Sequence, residues 1–199
     1  DPLRRARALA QRGRRGRPLA AGGAGAELGM WEQLVWALTS PGQQTVLSGT
    51  EFELTIDPMS VDFTGNRRTA RAINGSIPGP LLRWREGDTV TLRVRNRLPH
   101  DTSIHWHGIL GPPGMDGVPL ITQPPIAPDT TFTYEFPIRQ SGTYWYHSHS
   151  GLQEQRGLYG SIVIAPTQEQ VKVDQDKVVL LSDWTTDSPD YVINTLKRG

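Results

Sequence analysis

The sequence predicts an all-β protein folded as an antiparallel sandwich, and three observations predict it. From residue 51 onward, short segments rich in β-branched and aromatic residues alternate apolar and polar positions, the period of a half-buried strand. Gly and Pro turns separate these segments, drawn from 21 glycines and 16 prolines. At 199 residues, 36% of them hydrophobic and 21% charged, the chain can bury a sizeable core, and it has no cysteine with which to staple a smaller one.

Seven strands follow, in order, over residues 51–57, 69–73, 89–96, 103–108, 131–137, 142–149 and 160–165. The first, third and fifth show the alternation most plainly: Phe52, Leu54 and Ile56; Val90, Leu92 and Val94; Phe132, Tyr134 and Phe136. Asn74-Gly75, Pro78-Gly79-Pro80 and Glu86-Gly87-Asp88 lie between strands and supply turn geometry. Seven short strands with this patterning and no internal repeat predict two packed sheets. After Pro166, the polar stretch 167–176 reads as a linker, and residues 177–182 read as an apolar strand opening a second domain that the chain does not complete.

The start of the chain differs. Residues 1–30 hold seven arginines (Arg4, Arg5, Arg7, Arg12, Arg14, Arg15 and Arg17) against Asp1 and Glu27. That is a formal +5, so the net +1 of the whole leaves residues 31–199 at −4. Arginines followed by the small-residue run 19–29 read as an export signal, with a disordered basic tail as the alternative for residues 1–44. No basic face or stacking platform downstream continues a phosphate-binding site, so nucleic acid is not an expected partner. No stretch of about eighteen apolar residues exists, so no membrane span is expected.

Ser103-Ile104-His105-Trp106-His107-Gly108 and Gly142-Thr143-Tyr144-Trp145-Tyr146-His147-Ser148-His149 carry the chemistry. Side chains alternate faces along a strand, so His105 and His107 point one way together, as do His147 and His149. Residues two apart lie roughly 6.5 Å apart and neighbouring strands about 4.8 Å, so two facing pairs place four imidazoles around a volume fit for several ions. Imidazoles without thiolate suit copper or zinc. With no cysteine, the chain can hold no thiolate zinc site, no cysteine nucleophile and no blue-copper centre. By the same parity Trp106, Tyr144 and Tyr146 turn away from the metal and Trp145 shares its face, all four packing. His100, in the loop Pro99-His100-Asp101, reads as an exposed bystander. Met30, Met59 and Met115 are too scattered for a methionine-rich copper patch. Glu154 and Gln155 follow the second pair, where they can orient its loop or hydrogen-bond a ligand from behind.

HWHG (105–108) and YWYHSHSGLQEQ (144–155) resemble the two N-terminal copper motifs of multicopper oxidases. INGSIPGPLLRWREGDTV (73–90), MDGVP (115–119), GLYGSIVI (157–164) and VVLLSDWTTDSP (178–189) resemble the copper-resistance members of the CopA type, while residues 122–126 look closer to laccases. The resemblance covers residues 50–199, and the arginine-rich start is similar to twin-arginine signals, implying a periplasmic protein.

It implies a cupredoxin-like Greek-key β-sandwich over 45–166, followed over 167–199 by a linker and the first strand of a second such domain. It implies that His105 binds a type 2 copper and that His107, His147 and His149 bind a type 3 pair, half of the eight histidines of a trinuclear cluster. The other four, and the type 1 site, come in this family from a C-terminal cupredoxin domain with an HCH motif that this chain lacks, so that domain or another subunit is an expected partner. The implied activity couples one-electron oxidation of a reducing substrate, cuprous ion or a phenol, to reduction of dioxygen to water in copper resistance. Asp116 resembles the family carboxylate beside the cluster, placed to relay protons; as a turn former beside Gly117 it has an alternative role. A non-catalytic copper-binding or storage module is the competing expectation. Copper nitrite reductase ranks lower, since those enzymes place a cysteine ligand in their first domain.

Overall fold

A computed structural model describes residues 45–168, 171 and 173–198. The export-like segment expected over residues 1–44 lies outside these. The described residues form nine strands: β1 (Val46–Ser48), β2 (Glu51–Val61), β3 (Arg68–Ile73), β4 (Leu81–Arg85), β5 (Thr89–Asn96), β6 (His105–His107), β7 (Thr131–Pro137), β8 (Gly142–His147) and β9 (Tyr159–Ala165). One helix, α1 (Pro189–Leu196), follows.

The strands make two sheets, a five-stranded one in the order β1-β4-β9-β8-β6 and a four-stranded one in the order β3-β2-β5-β7. Alternation supplies the face between them. Phe52, Leu54 and Ile56 of β2 are buried while Glu51 and Glu53 are exposed, and Val90, Leu92 and Val94 of β5 are fully buried. Aromatic rings cross the gap. Trp84 of β4 meets Phe52 at 6.4 Å and Phe136 at 5.9 Å between centroids, and Trp106 of β6 meets Tyr134 of β7 edge-on at 5.2 Å. Burying rings of this size dominates a core's energetics, and the edge-on pairs add about 0.5–1.5 kcal/mol each. The result is the expected all-β sandwich, with crossovers that carry the chain repeatedly from one sheet to the other.

Four details differ from the sequence expectation. The sheets are mixed, because β1 with β4, β4 with β9 and β2 with β5 pair in parallel. Period-two patterning reports which face is buried and is silent on a neighbour's direction. Strands β1 and β4 were not expected. Strand β4 is five residues long and opens on two buried leucines, Leu81 and Leu82, so its alternation spans only Leu82 to Arg85, too short a stretch to stand out. The histidine strands are shorter than predicted, β6 starting at His105 and β8 ending at His147. Finally, residues 177–182 form no strand: Val179 and Leu181 are 79% and 88% exposed, and none of the described strands pairs with them. Helix α1 lies beyond, capped by Ser188 Oγ, which accepts from Tyr191 N, with Pro189 in its first turn. No helix among the described residues is long and apolar enough to cross a membrane.

Candidate metal centre

Strand β6 is the edge of the five-stranded sheet and pairs antiparallel with β8, placing His105 opposite His147, Trp106 opposite Tyr146 and His107 opposite Trp145. Trp106 and Tyr146 enter the core, 1% and 0% exposed. Their neighbours therefore stand on the outer face, and His105, His107 and His147 share it with Trp145. His149 lies two residues beyond β8's last residue.

The imidazoles converge. Ring centroids of His105 lie 5.4 Å from His107, 5.4 Å from His147 and 5.7 Å from His149, and His147 to His149 is 6.1 Å. One nitrogen from each of His105, His107 and His147 lies within 4.8 Å of the others. His149 is the outlying member, its ring adjacent but its donor atoms outside that group of three. The arrangement is open, with His107 and His149 exposed, His105 half-buried and His147 buried.

Hydrogen bonds decide which nitrogen each ring offers. His105 Nδ1 lies 2.7 Å from the carbonyl oxygen of Asp116, and a carbonyl only accepts, so Nδ1 carries the proton and Nε2 is free. His147 Nδ1 faces the carbonyl of Ser148 at 2.9 Å and the Glu154 carboxylate at 2.8 Å, which again leaves Nε2 free. His147 Nε2 points at His107 Nδ1, 3.2 Å away. Trp145 stacks on His147 at 4.1 Å and 19°, and lies 5.0 Å from His107.

Burial drives the His147 imidazole down to about 4, and repulsion from His105, His107 and His149 adds to the effect, while the bond to Ser148 opposes it. At neutral pH the ring is uncharged, as a ligand must be, so the 2.8 Å contact with Glu154 sets a carboxylate beside a neutral imidazole and is not an ion pair. Burial raises the Glu154 carboxyl above its ordinary range, opposed by His107 and His149.

Two loops hold the centre. Behind His105, Gly117 adopts φ +87, and a Cβ there would overlap the Ile104 carbonyl, so only glycine lets residues 115–119 lie against β6. Behind His147, the buried Gln153 accepts from Thr102 Oγ1 (2.6 Å) and Ser148 Oγ (2.9 Å) and donates to the Asp101 carbonyl (2.8 Å). Ser103 Oγ accepts from His149 N at 3.1 Å. Gln153 and Ser103 were not anticipated, because their role depends on side chains about fifty residues apart in sequence, for which no local pattern exists. His100 is half-buried, contrary to expectation. Its carbonyl accepts from Asn96 Nδ2 at 2.9 Å, and burial and Arg71 hold its imidazole below the ordinary value. It lies outside the imidazole group. Asp116 lies beside His105, where its carbonyl makes the short contact and its carboxylate Oδ1 stands 3.5 Å from Nδ1.

The donor set fits a borderline-soft metal ion. Two nitrogens bound to one ion at about 2.0–2.1 Å and a tetrahedral angle stand about 3.3 Å apart. The 3.2 Å between His107 Nδ1 and His147 Nε2 matches that spacing. All-imidazole donors admit copper and zinc alike.

Known proteins narrow this. A family model described as Multicopper oxidase matches residues 55–169. A copper resistance protein A homolog of Pseudomonas syringae pv. tomato is 58% identical over 172 residues, covering 86% of this chain and 29% of that protein. Copper resistance protein A of Escherichia coli is 50% identical over 177 residues, 88% of this chain and 29% of that protein. Among solved structures, a variant of the laccase from B. aclada superposes with a TM-score of 0.66 at 38% identity, covering 79% of this chain and 30% of that one. The chain thus spans about 29% of the length of these curated relatives. Its two-sheet sandwich is the cupredoxin-like fold, and the chain belongs to the multicopper oxidase family.

Proposed function

We propose that His105, His107, His147 and His149 are this chain's share of a copper cluster in a multicopper oxidase that couples one-electron substrate oxidation to reduction of dioxygen to water. The observation that carries this reading is the convergence of three imidazole donors within 4.8 Å on the outer face of edge strand β6 and its neighbour β8. His105 is assigned to a type 2 copper, and His107, His147 and His149 to a type 3 pair. Bound copper would supply the redox chemistry, taking electrons singly from a reductant such as cuprous ion or a phenol and delivering four, with four protons, to dioxygen.

The chain's own residues orient and insulate that chemistry. Main-chain carbonyls accept the Nδ1 protons of His105 and His147, with the Glu154 carboxylate close beside the latter, so both Nε2 lone pairs are left for the metal. The open side beside His107 and His149 is where the remaining ligands, from a C-terminal cupredoxin domain or another subunit, would complete the cluster. Without cysteine, the chain leaves the type 1 site to that same partner. Asp116, with its carboxylate 3.5 Å from His105 Nδ1, is the proposed proton relay. The exposed Val179 and Leu181 support residues 167–199 as the lead into a second cupredoxin-like domain. The names of the relatives support a role in copper resistance, and the arginine-rich start supports export to the periplasm.

Oxygen uptake with cuprous ion or a phenol tests the reading, measured for this chain and for a longer form carrying an HCH motif. Uptake by the longer form, lost in its His107→Ala variant, is the expected result. A longer form that binds copper but consumes no oxygen would favour a copper-storage module.

A further inference from the structure

We propose that Glu154 is a positioning residue for the second histidine pair, its carboxylate holding the orientation of the His147 ring so that Nε2 faces the metal. The inference rests on the reading of the four histidines as copper ligands and adds a residue that reading does not require.

Four observations carry it. The Glu154 carboxylate Oε2 lies 2.8 Å from His147 Nδ1, against the ring edge whose N–H the Ser148 carbonyl accepts at 2.9 Å. A carboxylate at that edge attracts its positive side electrostatically and raises the basicity of the opposite nitrogen. Glu154 is not carried to the ring on a free loop. It opens the 3-10 turn Glu154–Arg156, whose preceding residue, Gln153, is buried and tied to Thr102, Ser148 and Asp101. Trp145 closes one face of the ring at 4.1 Å, so the carboxylate fixes the rotation that stacking leaves open. His105 obtains the equivalent restraint from a main-chain carbonyl. Only in the second pair does the short restraint include a side chain that can be changed without moving the backbone.

The test uses the full 199-residue chain and two readouts. One is copper(I) affinity by competition with a chromophoric chelator. The other is the nitrogen-15 NMR signature of the His147 imidazole in the metal-free protein, which reports the surroundings of its two nitrogens. Glu154→Leu is expected to weaken copper binding about 10- to 100-fold and to shift the His147 nitrogen signals, while the Ser148 carbonyl keeps the Nδ1–H form and thermal unfolding shows that the chain still folds. Glu154→Gln, which keeps a polar oxygen at the ring edge, is expected to stay within about threefold of the parent and to leave those signals close to the parent's. Unchanged affinity and nitrogen signals in Glu154→Leu would overturn the proposal, and so would equal loss in the Gln and Leu variants. His147→Ala separates the two layers: if it loses copper while Glu154→Leu does not, the ligand assignment stands and the role of Glu154 falls. If His147→Ala also keeps its copper, both fall.

Discussion

The two histidine pairs share a motif and a face but are supported in different ways. The first, on β6, is a short edge strand backed by main chain: Gly117 brings residues 115–119 against Ile104, and the Asp116 carbonyl holds His105. The second, at the end of β8, is buried at His147 and backed by side chains, with Trp145 stacked on the ring, Glu154 behind it and Gln153 beneath. Identical ligand spacing can thus rest on backbone geometry in one place and on a polar side-chain network in another. The first kind of support is sensitive to glycine and indifferent to most side-chain changes, and the second is the reverse.

The contrast can be broken most directly at the ligands. His107→Ala and His147→Ala are each expected to reduce copper affinity by more than about 100-fold and to lower copper stoichiometry in a longer form, while His100→Ala leaves both unchanged. Metal analysis after dialysis reads the outcome, and equal loss in all three would sink the assignment.

Next in size is Gly117→Val. A side chain at φ +87 that also overlaps the Ile104 carbonyl should cost about 3 kcal/mol or more, measured by denaturant unfolding, and should dislodge His105. Little change in stability would show that the first pair does not depend on this loop.

The pH dependence of the metal-free chain sharpens the comparison from two sides. The folded His147 imidazole titrates near 4 against 6.5 in the unfolded chain, so between these values the unfolded state binds a proton that the folded state refuses. Stability contributed by neutral His147 is therefore present above pH 6.5 and lost as pH falls to about 4, on the order of 3 kcal/mol, and His147→Gln should flatten that limb. Under the first pair, Tyr134 has its hydroxyl pushed up to about 12 by burial, opposed by bonds from Gln123 Nε2 and the Ile104 amide. Its contribution is present below pH 10 and lost as pH rises to about 12, so Tyr134→Phe should reduce the alkaline slope. Burial raises Tyr146 as well, so part of that slope should remain.

The smallest effect on binding is expected at Asp116. Because its carbonyl makes the short contact, Asp116→Asn should keep copper affinity within about threefold. It should nevertheless slow oxygen consumption in a longer form, where a relay needs an ionisable group. A binding loss as large as that of a ligand variant would move Asp116 into the metal's direct support.

These differences also mark what can be read from the chain itself. Alternation located seven of the nine strands and put the histidines and Trp106 on opposite faces, because side-chain parity is a local property of a strand. It missed β4, a five-residue strand whose opening pair of leucines hides its short alternation, and it named a strand at 177–182, which pairs with none of the described strands. At the site, the four imidazoles and Asp116 could be named from spacing and resemblance. The tautomers, the main-chain contact of Asp116 and the Gln153 network could not, since each depends on atoms that only the folded sandwich brings together.

Copper-edge anomalous diffraction from crystals of the chain grown with copper tests the central claim most directly. The account predicts anomalous copper signal on the face that presents His105 Nε2, His107 Nδ1 and His147 Nε2, absent in a variant with all four histidines replaced. Copper bound elsewhere, with no peak on that face of β6 and β8, would contradict it.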